Sequence, residues 1–152
     1  MAAPARVAVY YAPEADDPLA RLGAAWLGRD ATTDSAPHQP GLPDIAGLTE
    51  EPRRYGFHAT LKPPFRLAPG RAWEEFRDAV RALAETIAPF ALPSLHVADL
   101  HGFLALREAA FCPPLQALCD LCVAELDPFR DPPDEAELAR RRRTSLRGLS
   151  LC

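Results

Sequence analysis

Proline restricts this chain more than any other residue type. It fixes φ, removes a backbone donor and pushes the residue before it away from the helical region, so prolines tend to bound helices and strands rather than fill them. The 17 prolines among 152 residues divide the sequence into short elements joined by restricted loops, without the low-complexity repetition of a disordered segment. Residues 6–12, Arg-Val-Ala-Val-Tyr-Tyr-Ala, form a β-rich apolar run that Pro13 closes, which reads as a buried strand. Asp16-Asp17-Pro18 is a helix start, with a capping Asp followed by Pro at the first helical position. Leu19, Leu22 and Trp26 are spaced as one apolar helix face, and Gly28 is the expected stop.

Residues 29–52 carry Pro37, Gly41, Pro43, Gly47 and Pro52 with weak periodicity. A long connection of this kind is usually functional or mobile. It leads into residues 53–67, read as a strand, after which Pro63-Pro64 and Pro69-Gly70 are expected to form a rigid turn. An amphipathic helix follows, with Trp73, Phe76, Val80, Leu83 and Ile87 on its apolar face and Glu74-Glu75 in its first turn, ended by Pro89. Residues 90–100 and 102–107 read as two strands with a tight turn near 99–102. Pro113 or Pro114 opens another helix, whose face is Leu115, Leu118, Cys119, Cys122 and Leu126 and whose stop is Asp127-Pro128. Residues 134–143 run from acids to four arginines, the order that matches a short helix to its own dipole. Residues 144–152 form an atypical tail with neither strand nor helix character.

The length predicts a single domain over residues 1–152 with a sizeable core, and 48% hydrophobic with 25% charged residues fits a soluble globular chain. The pattern of short strands and intervening helices makes the fold class α+β, antiparallel sheets with packed helices. A net charge of −4 argues against general nucleic-acid binding or a membrane-surface role, while leaving room for a local cationic cluster that meets a small anion. No apolar run approaches the ~20 residues of a membrane span, and the first residues lack a signal-peptide pattern; a cytoplasmic location is expected. Cys119-x-x-Cys122 lies on an apolar helix face with no second pair or nearby His. It reads as core packing, with no metal site and no cofactor expected.

The chemistry concentrates at His58-Ala59-Thr60. On a strand, residues two apart share a face, which aligns His58 with Thr60, and with Lys62 and Arg54, and turns Phe57, Ala59 and Leu61 towards a core. An imidazole beside a hydroxyl, with cations at Arg53, Arg54 and Lys62 and a phenol at Tyr55, suits an anionic group such as a phosphate. By itself, His-x-Thr is too short to separate a site from two polar residues on a solvent face. Tyr10 and Tyr11 alternate on the first strand, so that one faces a cleft and the other the core; the sequence does not choose between them.

The longer block Arg54-Tyr55-Gly56-Phe57-His58-Ala59-Thr60-Leu61-Lys62-Pro63-Pro64-Phe65 resembles the two-histidine (2H) phosphoesterase superfamily. Within that superfamily the likeness is to a family of uncharacterised proteins associated with phosphonate-utilisation operons. Residues 7–13, Asp17 to Gly23, Gly102-Phe103-Leu104-Ala105-Leu106, Asp127-Pro128-Phe129-Arg130 and 135–141 share it, so the likeness covers most of residues 6–142. It implies a bilobal α+β fold with one His-x-Thr/Ser motif on each lobe. It also implies metal-independent chemistry at a small, often cyclic phosphodiester, with one imidazole as base and the other as acid. His58 and Thr60 are then the catalytic candidates, and Lys62, Arg54 and Tyr55 the substrate-binding ones.

The second motif is missing. His38 precedes Gln39-Pro40, His96 precedes Val97-Ala98, and His101 precedes Gly102-Phe103, and none begins His-x-Thr or His-x-Ser. A truncated second lobe, through a frameshift near residue 143, is the expectation this raises, along with self-association through the apolar surface that an incomplete lobe would expose. His96 and His101 read as surface or structural histidines, and the arginines at 140–143 as a solvated helix end. The functional expectation is a phosphodiesterase-like hydrolase of phosphonate metabolism. The alternative is a non-catalytic phosphate- or nucleotide-binding module, or an inactive incomplete domain.

Overall fold

Asp17 and Gly28 delimit the first helix as their chemistry requires. The computed structural model describes residues 6–100, 102–133, 135, 138 and 139. In it, α1 (Pro18–Leu27) begins where the Asp17 carboxylate accepts the Leu19 N–H at 2.7 Å and ends at Gly28 in the left-handed region, φ +70°. Strand β1 (Arg6–Tyr11) precedes it. The short helices α2 (Ile45–Leu48) and α3 (Glu50–Arg53) follow, then β2 (Ala59–Arg66), α4 (Trp73–Thr86), β3 (Leu95–Asp99), β4 (Leu104–Glu108), α5 (Pro113–Leu126) and a 3-10 turn (Asp127–Phe129). Strands β1 and β2 pair in one two-stranded sheet and β3 and β4 in another, so the α+β expectation with small antiparallel sheets and packed helices holds.

The described residues divide into two compact units, one of residues 8–63 and one of residues 6–7 with those from 64 onward. Residues 8–63 bury Val9, Leu27, Ile45, Thr49 and Lys62. Helix α1 buries Gly23 and Leu27, a different face from the one that spacing predicted: Leu22 is 68% exposed and Trp26 41%. The cause is Phe57. A Cβ on Gly23 would sit 2.3 Å from the Phe57 ring, so the helix presents its smallest residue to the aromatic ring.

The long connection is tied down rather than loose. Gln39 Nε2 donates to the Trp26 carbonyl and to Thr49 Oγ1, both at 2.9 Å. The sequence groups Arg53 with the cations suited to a phosphate. Arg53 donates instead to the Leu27 carbonyl (2.9 Å), Thr49 Oγ1 (3.0 Å), Gln39 Oε1 and the Ala46 carbonyl (both 3.2 Å). Its guanidinium is a structural clamp that ties the last carbonyl of α1, where a cation is favourable, to Gln39, Thr49 and the Ala46 carbonyl of α2.

In the other unit, Phe76 of α4 is 2% exposed and meets Phe65 edge-on at 5.5 Å, with Phe129 at 5.7 Å and Trp73 at 5.9 Å between ring centroids. Phe65, Cys112, Cys122 and Leu126 complete this core, and the face expected of α5 is the one that is buried, ending in Cys122 and Leu126. Glu75 accepts the Ala72 N–H at the start of α4. The segment after α5 runs antiparallel to the end of β2, with Ala68 N–H on the Phe129 carbonyl and Asp131 N–H on the Arg66 carbonyl, both 2.8 Å.

Strands β3 and β4 place Val97 opposite Leu106 and Asp99 opposite Leu104. Gly102, at φ +88°, closes the hairpin by donating its N–H to Asp99 at 2.6 Å. Pro63 and Pro64 lie inside β2 rather than in the expected turn. In a two-stranded sheet both strands are edges, and an edge tolerates a residue without an N–H. Of the expected helix over 134–143, residues 135, 138 and 139 are described and are helical; its other residues, His101 and the tail 144–152 lie outside the described residues.

Candidate functional site

The strand expected from residue 53 begins at Ala59. Glu50, Glu51 and Pro52 favour a first helical turn, so α3 runs to Arg53. Arg54 and Tyr55 turn the chain, and Gly56 takes φ +76°. A Cβ there would lie 2.5 Å from the Ala31 methyl. Both the left-handed backbone and this close approach call for glycine.

His58 thus stands one residue before β2, half-buried. Its Nδ1 is 2.9 Å from the Gly56 carbonyl oxygen. A carbonyl only accepts, so Nδ1 carries the proton and Nε2 is left to exchange one. The Tyr10 ring lies over the imidazole, centroids 3.9 Å apart and planes 34° apart; Tyr55 is farther, at 6.5 Å and 59°. Of the two tyrosines in β1, Tyr10 is therefore the one at the histidine.

The other candidates are distributed unevenly. Thr60 is exposed on β2. Lys62, two residues on, is 3% exposed, so the two share strand parity at different depths. The Arg54 guanidinium lies 3.2 Å from Glu51 and 3.9 Å from Glu50, pairs within its own helical turn. Tyr55 is 59% exposed. The structure brings Tyr10 and Tyr55 to His58, while Arg54 points its charge at α3.

Arg29 supports this corner from the other side. Its Nη1 donates to the Arg54 carbonyl at 2.7 Å and the Arg53 carbonyl at 3.3 Å, and its Nε and Nη2 donate to Asp34 Oδ1 at 3.1 and 3.0 Å. Sequence reading passed over Arg29, Gln39 and Ala31 because each acts on the backbone of distant residues. Gly56, two residues before the histidine, was the available signal. Among the described residues no group of three or more His, Cys, Asp or Glu side chains is placed to hold a metal. No helix among them is long and apolar enough to cross a membrane.

The family model described as "Protein of unknown function (DUF1045)" matches residues 60–149. The chain belongs to that family. Two curated proteins, both named ribose 1,5-bisphosphate phosphokinase PhnN, are similar to it. The one from Janthinobacterium sp. (strain Marseille) is 40% identical over 146 residues, 93% of this chain and 32% of that protein. The one from Laribacter hongkongensis (strain HLHK9) is 36% identical over 149 residues, 90% of this chain and 35% of that protein. The chain thus spans about a third of the length of these curated relatives. No solved structure matches it.

Proposed function

We propose that this chain carries a phosphodiesterase-like site of the two-histidine type, acting on a small phosphorylated sugar or nucleotide, often cyclic, in phosphonate metabolism. The observation that carries the reading is the half-buried His58, fixed through Nδ1 to Gly56 with Nε2 left for proton exchange, inside the Arg54–Phe65 sequence block. Nε2 acts as general base towards water or as general acid towards the departing oxygen. Thr60 and Lys62 are assigned to the phosphoryl oxygens, where charge builds in the transition state, and Tyr55 to substrate binding; Arg54 joins them only by leaving its pairs with Glu50 and Glu51. The names of the relatives agree with a ribosyl phosphate as the kind of substrate handled.

Their kinase name fits this stretch poorly. A P-loop kinase cradles phosphates with Gly-x-x-x-x-Gly-Lys-Ser/Thr. The sole lysine here is Lys62, followed by Pro63, and the spaced pair Gly23 and Gly28 continues as Arg29-Asp30 at the end of α1. The phosphoryl transfer in that name is therefore left with the relatives, of whose length this chain covers about a third.

The test is a metal-free assay, with chelator present, on ribosyl cyclic phosphates and 2′,3′-cyclic nucleotides, comparing wild type with His58→Ala. A general acid or base contributes typically ~10²–10⁴-fold, and a loss of that size is expected. Activity that persists unchanged in the variant sinks the assignment. A second reading, a phosphate-binding module without turnover, is favoured by one observation: no other histidine begins a His-x-Thr/Ser motif. Binding of a cyclic phosphate at His58 without hydrolysis decides for it.

A further inference from the structure

The imidazole of His58 is held on two sides by groups that take no part in phosphate chemistry. At its edge, the Gly56 carbonyl accepts from Nδ1. The direction of that carbonyl is set by a backbone angle that L side chains rarely adopt, with Ala31 seated where a Cβ would go. Above it, the Tyr10 ring covers the imidazole at 3.9 Å, in the range of aromatic stacking. A half-turn of the imidazole would put a carbon where Nδ1 now donates, and the overlying ring crowds that motion. Neutral or cationic, the ring keeps its Nδ1 proton on Gly56, so only Nε2 gains or loses one.

We propose that Gly56, seated on Ala31, and Tyr10 are positioning residues. They hold His58 in the tautomer with the proton on Nδ1 and present Nε2 as the reacting nitrogen, a role that rests on the phosphoester reading of His58. Free imidazole side chains prefer the opposite tautomer, so the preference at this position is built by the fold. Tyr10 is 39% exposed, and its truncation leaves the core of residues 8–63 in place.

The experiment is two-bond ¹H–¹⁵N correlation NMR of the histidine side chains in the full chain, with the His58 signals assigned by their loss in His58→Ala. Wild type is expected to show the Nδ1-protonated tautomer. The paired variant Ala31→Gly/Gly56→Ala, which removes the methyl clash and keeps the backbone strain, is expected to shift the population towards Nε2–H. Tyr10→Leu is expected to lower kcat roughly tenfold with KM nearly unchanged, the signature of a misplaced reacting group. Tyr10→Phe, which keeps the ring and discards the hydroxyl, restores it. An Nε2–H tautomer in wild type overturns the proposal, as does a Tyr10→Phe no better than Tyr10→Leu. An Nδ1–H tautomer in a protein that hydrolyses none of the phosphoesters upholds the positioning and removes the phosphoester reading instead.

Discussion

Arg29 donates to the carbonyl of Arg54 at 2.7 Å while Arg53 donates to the carbonyl of Leu27 at 2.9 Å. The two arginines exchange places: each caps the end of the other's helix. The consequence is that the turn leading to His58 is fixed by side chains 24 to 26 residues away in sequence. Removing Arg53 strands a set of half-buried acceptors, and hydrogen bonds from charged donors contribute about 1.5–3 kcal/mol each to stability. Arg53→Ala is expected to destabilise the fold by roughly 2–3 kcal/mol, more than Arg54→Ala, whose ion pairs with Glu50 and Glu51 are exposed and contribute about 0–1 kcal/mol. Urea unfolding of both variants, followed by far-UV circular dichroism, checks the order.

Gly23 gives a second prediction. A methyl added there meets the Phe57 ring at 2.3 Å, and Phe57 adjoins His58. Overpacking of this kind costs typically about 1–3 kcal/mol. Gly23→Ala is expected to lower Tm and to perturb the His58 imidazole resonances, whereas Gly41→Ala, where an added Cβ meets nothing within 4 Å, leaves both unchanged.

These two cases also mark where sequence reading succeeds and fails. The caps of α1, the hairpin closed by Asp99 and Gly102, and the buried face of α5 were legible because each depends on residues within a few positions of one another. The buried face of α1 was not. Counting apolar residues selects Leu22 and Trp26, but the contact surface is Gly23, which hydrophobicity alone does not single out. His58-x-Thr60 was legible as a motif. Its setting was not, since Gly56 acts through Ala31, and Tyr10 comes from a strand almost fifty residues away. Arg54 does not share a strand face with His58, because the chain is helical to Arg53 and β2 begins only at Ala59.

Asp30 carries a pH dependence of known sign. The backbone N–H of Thr32, at 2.8 Å, and that of Thr33, at 3.4 Å, donate to its carboxylate. The Thr32 bond above all holds its pKa below the usual carboxylate range. A depressed folded value means the turn's contribution is fully present above the unfolded Asp value, about 3.9, and is lost as pH falls through the lower folded value. The Thr32 amide shift is expected to titrate with a midpoint below that of a free Asp. Asp30→Asn, which keeps a side-chain acceptor without a charge, abolishes the titration. An unmoved midpoint refutes the assignment.

Phe76 is the expected stability anchor of its unit. Its ring is enclosed by Phe65, Phe129 and Trp73, and truncating a buried Phe to Ala costs about 3–5 kcal/mol. Phe76→Ala is expected to lose most of the folding stability in calorimetry, and Phe76→Leu, which keeps more of the volume, to lose less.

Val97 is the opposite case. In the β3–β4 register it shares one sheet face with Leu95, Leu104 and Leu106, all at least 40% exposed and Val97 itself 67%. A side chain already in water has little transfer free energy to lose, so a surface replacement stays within about 0.5 kcal/mol. The same face is an apolar patch beside two strand edges that no other described strand covers, the arrangement that promotes contact between chains. Val97→Lys is therefore expected to leave the unfolding midpoint in place while lowering any concentration-dependent association seen by sedimentation velocity. A loss of stability comparable to that of Phe76→Ala shows instead that the hairpin face is packed in solution.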